Sequence, residues 1–112
     1  MLIVRWSLMA RFGMVDDCLT LLKKWEVDVG ERVGWKLGSI GIRRAVFAAS
    51  DTEVELEARC ESLAELENTW ADMDRVPYHR EYIKMLERVV VPGSSRWSVY
   101  REVAVNPNAP NG

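Results

Sequence analysis

The chain has 112 residues and a net charge of −2, which fits one domain and gives no general attraction to nucleic acid or to an anionic membrane. Apolar residues make up 48% and charged residues 29%, which is typical of a soluble globular protein. Arg5 interrupts the apolar start too early for a secretory signal, and no apolar run is long enough to span a membrane. We therefore expect a cytoplasmic protein.

The residues 2–12 alternate between apolar and mixed side chains, which predicts a strand with one dry face. That face consists of Leu2, Val4, Trp6, Leu8, Ala10 and Phe12. The residues 14–35 change to apolar spacings of three and four, which predict a helix that ends near Gly30 and Gly34.

The residues 36–50 and 53–61 follow as two further predicted strands, joined by a tight turn. Arg44 falls on the apolar face of the first of them, so we expect a β-bulge near Arg43 and Arg44. The strand at 53–61 alternates more regularly than any other stretch, with glutamates on one face. Its apolar face includes Cys60, and Cys18 lies on the apolar face of the first helix.

A capping box predicts the start of the second helix, with Ser62 as N-cap and Glu65 reaching back. Pro77 stops or kinks this helix, because its ring removes a donor and clashes with the previous turn. A further helical piece follows, and the residues 96–105 form the last predicted strand. Trp97 on this strand should pair with Trp6. The segment 106–112 lacks apolar content and is predicted to be a flexible C-terminal tail.

The predicted order β-α-β-β-α-β gives an α+β fold of the ferredoxin-like type, in one domain over residues 1–105. Such a domain has a four-stranded antiparallel sheet with two helices on one face. Its third strand lies between the first and second, which explains the charge pattern: residues 51–75 hold nine acidic and two basic residues. The expected cross-strand partners of these acids are Arg5, Arg11, Arg43 and Arg44.

The sheet face without helices would expose Ile3, Met9 and Phe47 among its charges. Apolar patches of this kind usually mark an interface, and two-fold dimers are the commonest assembly. We therefore expect a homodimer. The two cysteines are interpreted as buried, reduced thiols, and with one histidine they do not complete a standard zinc site. No metal and no cofactor are predicted.

Two stretches carry a family resemblance. "ARFGMVDDCLTLLKKW" and "EARCESLAELENTWADMDRVPYHREYIKML" resemble the first strand-to-helix passage, the acidic strand and the broken second helix of antibiotic-biosynthesis-monooxygenase-like and NIPSNAP-like domains. The resemblance implies a dimeric α+β barrel. It also implies a site between the sheet and the second helix, because members of this superfamily include cofactor-free oxygenases of aromatic molecules and haem-degrading monooxygenases.

Trp70 and His79 resemble the tryptophan and histidine of the haem-degrading members, but the asparagine of their first strand is missing here. Haem is therefore the weaker expectation, and a small aromatic ligand of a cofactor-free monooxygenase is the stronger one. His79 would be the base or an axial-type ligand. The hypothesis assigns catalytic roles to Trp70 and His79 and ligand-binding roles to Arg5, Arg43, Tyr78 and Tyr82.

The alternative is a non-enzymatic structural or protein-interaction dimer with no small-molecule site. On that interpretation Trp70 is a core residue, His79 caps a helix or faces solvent, and Arg5 and Arg43 are ion-pair partners on the sheet. A cavity of about 300 Å³ beside His79 would favour the first hypothesis. A sheet face filled by arginine–glutamate pairs would favour the second.

Overall fold

The sheet of the protein has the predicted topology. The structure is a computed structural model that describes residues 1–35, 40–46 and 51–105. Its antiparallel strands are β1 (Leu2–Met9), β2 (Ile40–Arg44), β3 (Glu53–Cys60) and β4 (Arg96–Arg101). They lie in the order β2-β3-β1-β4, so the first and third strands are central, as the ferredoxin-like arrangement requires.

Some sequence-based expectations concern residues that the structure does not describe, and one of the others is wrong. The predicted outer parts of the second strand at 36–39 and 47–50, with Phe47, lie outside the described residues, as does the predicted tail at 106–112. The predicted bulge is not present: β2 pairs with β3 in continuous register, and Ala45 extends the ladder by donating to the Glu53 carbonyl. Arg44 lies on the helix face at the strand end, within 3.7 Å of Asp16.

The first helical segment changes its geometry along its length. Helix α1 spans Val15–Trp25 and continues as a π-helical turn, Glu26–Gly30, and a short 3₁₀ turn, Glu31–Val33. Gly34 ends it with a φ of +97°, a left-handed conformation that glycine adopts without steric cost. The prediction of a helix that ends at this glycine is confirmed.

Pro77 separates two helices, as predicted. Helix α2 (Leu63–Arg75) begins at Ser62, whose hydroxyl accepts from the Glu65 amide at 3.2 Å. Val76 is extended, and Pro77 then occupies the first turn of α3 (Pro77–Val89), where its missing N–H has no intrahelical partner to lose. The broken helix therefore consists of two separate helices that can point in different directions.

The core lies between the helices and one face of the sheet. In β1 buried residues alternate with half-buried ones, and the buried positions are the even-numbered ones that the sequence predicted. Phe12 is an exception at 99% exposure, because the strand ends at Met9 and the chain turns at Phe12 and Gly13. Leu63, at the first position of α2, is also exposed rather than inward-facing.

The two cysteines are free and buried, as predicted. Burial raises the pKa of Cys18 to about 11, and burial together with nearby glutamates raises the pKa of Cys60. Both groups are therefore protonated thiols near neutral pH, with little nucleophilic character.

Glu26 is a charged residue inside this core, with only 2% of its surface exposed. Neither carboxylate oxygen has a hydrogen-bond partner among the described residues. The carboxylate packs against Gly30, where any side chain would collide with it. Burial, with a smaller contribution from the Glu31 charge, raises the pKa of Glu26 to about 7. The turn therefore accommodates a neutral carboxylic acid better than a carboxylate.

We expect stability to fall as pH rises from about 4.5 to about 7, because the native state holds the Glu26 proton where the unfolded chain has already released it. Glu26→Gln, which keeps the shape without the charge, should remove this component and be more stable than wild type at pH 8 by roughly 2–3 kcal/mol. Urea unfolding at pH 5 and pH 8 measures the difference.

The exposed Glu67, replaced in Glu67→Gln, serves as the matched control and should leave the pH dependence unchanged. An identical pH dependence in Glu26→Gln and wild type would contradict the expectation.

Candidate functional site

A cavity of about 350 Å³ lies beside His79, between the sheet and the junction of α2 and α3. Its lining includes three tryptophans, Trp6, Trp70 and Trp97, together with His79 and Asp74. We call it the tryptophan pocket. Its volume meets the size that a small ligand requires.

The tryptophans form a connected aromatic wall. Trp6 on β1 and Trp97 on β4 are register partners, and their rings stack at 5.2 Å with an angle of 2° between planes. Trp70 meets Trp97 edge to face, at 5.5 Å between ring centroids. The predicted pairing of Trp6 with Trp97 is confirmed. Trp97 remains 37% exposed, so part of its ring is available to a ligand.

Trp70 and His79 meet at this pocket because of the break between the helices. On a single straight helix their spacing of nine residues would place them on opposite sides. Here Trp70 belongs to α2 and His79 to the first turn of α3, with the extended Val76 between them. Both side chains line the same pocket.

A hydrogen bond from the core determines the protonation of His79. The indole Nε1 of Trp25 donates to His79 Nδ1 at 3.0 Å. An indole nitrogen only donates, so Nδ1 must accept, and the neutral imidazole carries its proton on Nε2. Burial lowers the pKa of His79, and the charge of Asp74 opposes this only in part. His79 is thus a neutral side chain whose remaining nitrogen is a hydrogen-bond donor.

Trp70 contributes a second donor. Its Nε1 is buried and has no hydrogen-bond partner in the part of the chain that the structure describes. A buried donor without an acceptor is unfavourable by about 1–3 kcal/mol, so such groups are rare without a functional reason. Ser95 adds a third: its Oγ accepts from Trp6 Nε1 at 2.9 Å, which leaves its hydroxyl proton free to donate.

Arg5 and Arg43 lie on the opposite face of the sheet from this pocket. Arg5 makes a bidentate ion pair with Glu55, with contacts of 3.0 and 2.6 Å. Arg43 pairs with Glu55 and, at 2.9 Å, with Glu57. Burial alone would raise the pKa of Glu55, but the hydrogen bonds from both arginines hold it below its ordinary value. The structure does not bring these arginines to His79.

The two predicted tyrosines also lie away from the tryptophan pocket. The hydroxyl of Tyr82 donates to an Asp28 carboxylate oxygen, and this bond, with burial, raises the pKa of Tyr82 to about 12. Tyr78 is exposed, and the guanidinium carbon of Arg32 lies over its ring, 5.4 Å from the ring centroid. Of the six residues predicted for the site, the pocket therefore contains Trp70 and His79.

Sequence reasoning missed Trp25, Ser95 and Trp97 as parts of this site. Trp25 is fully buried, and its bond to His79 joins residues 54 positions apart, a separation that no local pattern reveals. The pairing of Trp97 with Trp6 was the one signal that could have placed Trp97 at the pocket. Ser95 lies in a loop, where periodicity gives no direction.

The described residues contain neither a metal site nor a membrane-spanning helix. No group of three or more histidine, cysteine, aspartate or glutamate side chains is arranged to hold a metal ion. None of the helices in the described ranges has the length and apolar character needed to cross a membrane.

Solved structures that are similar to this chain share its fold at low sequence identity. A NIPSNAP family protein from Agrobacterium tumefaciens matches with a TM-score of 0.76 at 14% identity, over 96% of this chain and 98% of its own. A NIPSNAP-like domain protein from Burkholderia xenovorans matches with a TM-score of 0.75 at 12% identity, over 98% and 91%.

A variant of SnoaB, a cofactor-independent oxygenase from Streptomyces nogalater, matches with a TM-score of 0.66 at 9% identity, over 96% of this chain and 97% of its own. The chain has the fold of these proteins. The family resemblance seen in the sequence is confirmed at the level of the fold. No family model and no curated protein matches the chain.

We expect the pKa of His79 to lie below its ordinary value, because the side chain is buried, and we expect the neutral imidazole to carry its proton on Nε2, because Trp25 occupies Nδ1. Trp25→Phe should raise this pKa, since Nδ1 then becomes free to accept a proton. Nitrogen-15 NMR of the imidazole across a pH series measures both the tautomer and the pKa.

Trp35→Phe is the matched control, because Trp35 is a buried neighbour of Trp25 at 6.1 Å between ring centroids. It should leave the His79 titration unchanged. A neutral Nδ1–H tautomer, or equal His79 pKa values in Trp25→Phe and wild type, would show that the Trp25 bond does not set the state of His79.

Proposed function

We propose that the chain binds a planar, uncharged aromatic molecule with an acceptor oxygen in the tryptophan pocket. The observation that carries this proposal is that two side chains with an N–H to donate line one aromatic cavity. The Trp25 bond leaves Nε2 of His79 as a donor, and the buried Nε1 of Trp70 has no partner among the described residues. Aromatic walls favour a flat ring, and donors without acceptors favour a carbonyl or enolate oxygen.

The charge of the lining supports a ligand that arrives uncharged. Asp74 is the ionisable acid there, and no arginine or lysine is among the described lining residues. A carboxylate or phosphate would therefore meet a negative charge without a compensating cation. An acceptor oxygen on a neutral ring satisfies the donors without this repulsion.

We further propose that the bound molecule reacts with oxygen in the manner of a cofactor-free monooxygenase. Loss of a proton from an activated ring carbon would give an enolate, whose oxygen the His79 and Trp70 donors stabilise more strongly than the neutral carbonyl. A ring methylene would become a carbonyl, and the second oxygen atom of O₂ would leave as water. The fold shared with SnoaB, described as a cofactor-independent oxygenase, supports this chemistry.

In this scheme His79 is a donor instead of the base or axial-type ligand that the sequence suggested. To accept a proton or a metal at Nε2, neutral His79 would have to carry its proton on Nδ1, against the Trp25 N–H. The acceptor for the substrate proton would instead be Asp74, the carboxylate of the pocket.

Trp70→Phe should weaken binding of 2-methyl-4-quinolone by about tenfold beyond any change for 2-methylnaphthalene, because only the quinolone has an oxygen for the lost donor. The indole N–H of Trp70 has no partner in the described structure, so its removal orphans no acceptor there. Isothermal titration calorimetry of both probes measures the difference.

Tyr78→Phe is the control, because Tyr78 loses a hydroxyl outside the pocket. Equal losses for both probes would leave Trp70 as a wall without a donor role, and binding of neither probe would reject the proposed function.

Anthrone in air tests the oxygenase step: wild type should consume O₂ faster than Trp70→Phe. No acceleration by wild type would limit the function to binding.

We also propose that two copies associate through the sheet face that carries no helix, named here the open face. Its arginines and glutamates neutralise one another within one copy, so a second copy meets little unpaired charge. Ile3 and Tyr100, register partners on this face, supply apolar surface. This face is filled by arginine–glutamate pairs, as the interaction-dimer alternative required, and the tryptophan pocket lies on the other face.

Light scattering at micromolar concentration should give twice the 12.8 kDa mass of the chain. Ile3→Lys places an additional charge on the open face, on the central strand β1, and should shift the protein to the monomer. Leu63→Lys, an equal change at an exposed position on the helix side, should remain dimeric. A wild-type mass near 12.8 kDa would contradict the proposal.

A further inference from the structure

A second cavity, of about 460 Å³, lies between β1 and the C-terminal half of α3. We call it the tail compartment. Apolar side chains dominate its lining, among them Leu8, Ile83, Leu86, Val90 and Val91. The exposed Glu87 is the one charged residue among the described residues that line it.

The tail compartment adjoins the tryptophan pocket. Trp6, Ile83 and Ser95 line both cavities, so the two share a common wall. The chemistry differs between the two cavities. Trp70 and His79, which carry N–H donors, line the tryptophan pocket, and apolar side chains dominate the tail compartment.

The outer wall of the tail compartment is held in place by hydrogen bonds. The loop after α3 returns to β1, where the Val91 amide donates to the Met9 carbonyl at 2.8 Å. Ser94 Oγ accepts from the Met9 amide at 3.1 Å and donates to the Val91 carbonyl at 2.7 Å. Gly93 makes the turn with a φ of +78°. A preformed apolar wall can accept a ligand without an ordering cost.

We propose that the ligand of this protein has two parts, an aromatic head in the tryptophan pocket and an uncharged alkyl tail in the tail compartment. This inference rests on the proposed function for its head group. The adjacency of the two cavities supplies the argument for the tail, because a ring in the tryptophan pocket has the apolar tail compartment on the other side of Trp6 and Ile83.

The same lining excludes a simple fatty acid. Its carboxylate would face Glu87 in the tail compartment or Asp74 in the tryptophan pocket. Asp74 lines the same pocket as the donor residues. A negatively charged head group that approached the donors would therefore be repelled by the Asp74 carboxylate. A neutral ring with a carbonyl avoids this conflict, which is why the proposal commits to an alkylated aromatic molecule.

The test compares 2-methyl-4-quinolone with 2-heptyl-4-quinolone by isothermal titration calorimetry. Each buried methylene can tighten binding by about threefold to fourfold, so the heptyl probe should bind at least about thirtyfold more tightly even after the ordering of the chain. Val91→Trp, at a partly exposed position of the tail compartment, should cancel at least about tenfold of this gain and leave the methyl probe unchanged.

Val103→Trp is the matched control, since Val103 is exposed and outside both cavities. It should change neither affinity. Equal affinities of the two probes for wild type, or equal losses of both in Val91→Trp, would overturn the tail compartment and leave the aromatic site standing. Failure of both probes to bind would reject the proposed function as well. Octanoate should not bind, and binding of octanoate in the micromolar range would also overturn the proposal.

Discussion

The hydrogen bond from Trp25 to His79 determines what the pocket can do. Trp25 is fully buried at the end of α1, so the donor comes from the core and is shielded from water. It consumes the acceptor nitrogen of the imidazole and leaves a donor. A histidine that lines a pocket is usually considered as a base or a metal ligand. Here its environment makes it a neutral donor, next to a second donor from Trp70.

This arrangement depends on Pro77. The extended residue before it and the new helix after it place Trp70 and His79 on separate helices that meet at one cavity. The same break positions the first two turns of α3 against the end of α1 and the π-helical turn that follows it. There Trp25 donates to His79, and Tyr82 donates to Asp28. The proline is thus a structural requirement of the pocket, although it does not line it.

The fold could be predicted from the sequence because the spacing of apolar residues and the residues that begin or end helices act locally. Alternation in β1 and β3, the Ser62 cap, Gly34 and Pro77 each report a local preference, and the structure agrees with each. Trp70 and His79 were found, but their partners were not, because a hydrogen bond between α1 and α3 leaves no periodic signal. Arg5 and Arg43, which the functional hypothesis assigned to the site, lie on the open face, as alternation within their strands indicated.

The two functional hypotheses use different surfaces and do not exclude each other. Strand alternation sends odd-numbered residues of β1 to the open face and even-numbered ones to the core, so Arg5 and Trp6 are neighbours in sequence with opposite roles. Substitutions on the open face therefore change its charge pairing without changing the lining of the tryptophan pocket. Trp6, by contrast, cannot be assigned to one function, because it belongs to the core and lines both the tryptophan pocket and the tail compartment. Its replacement would disturb stability and binding together, and it is therefore unsuitable for separating them.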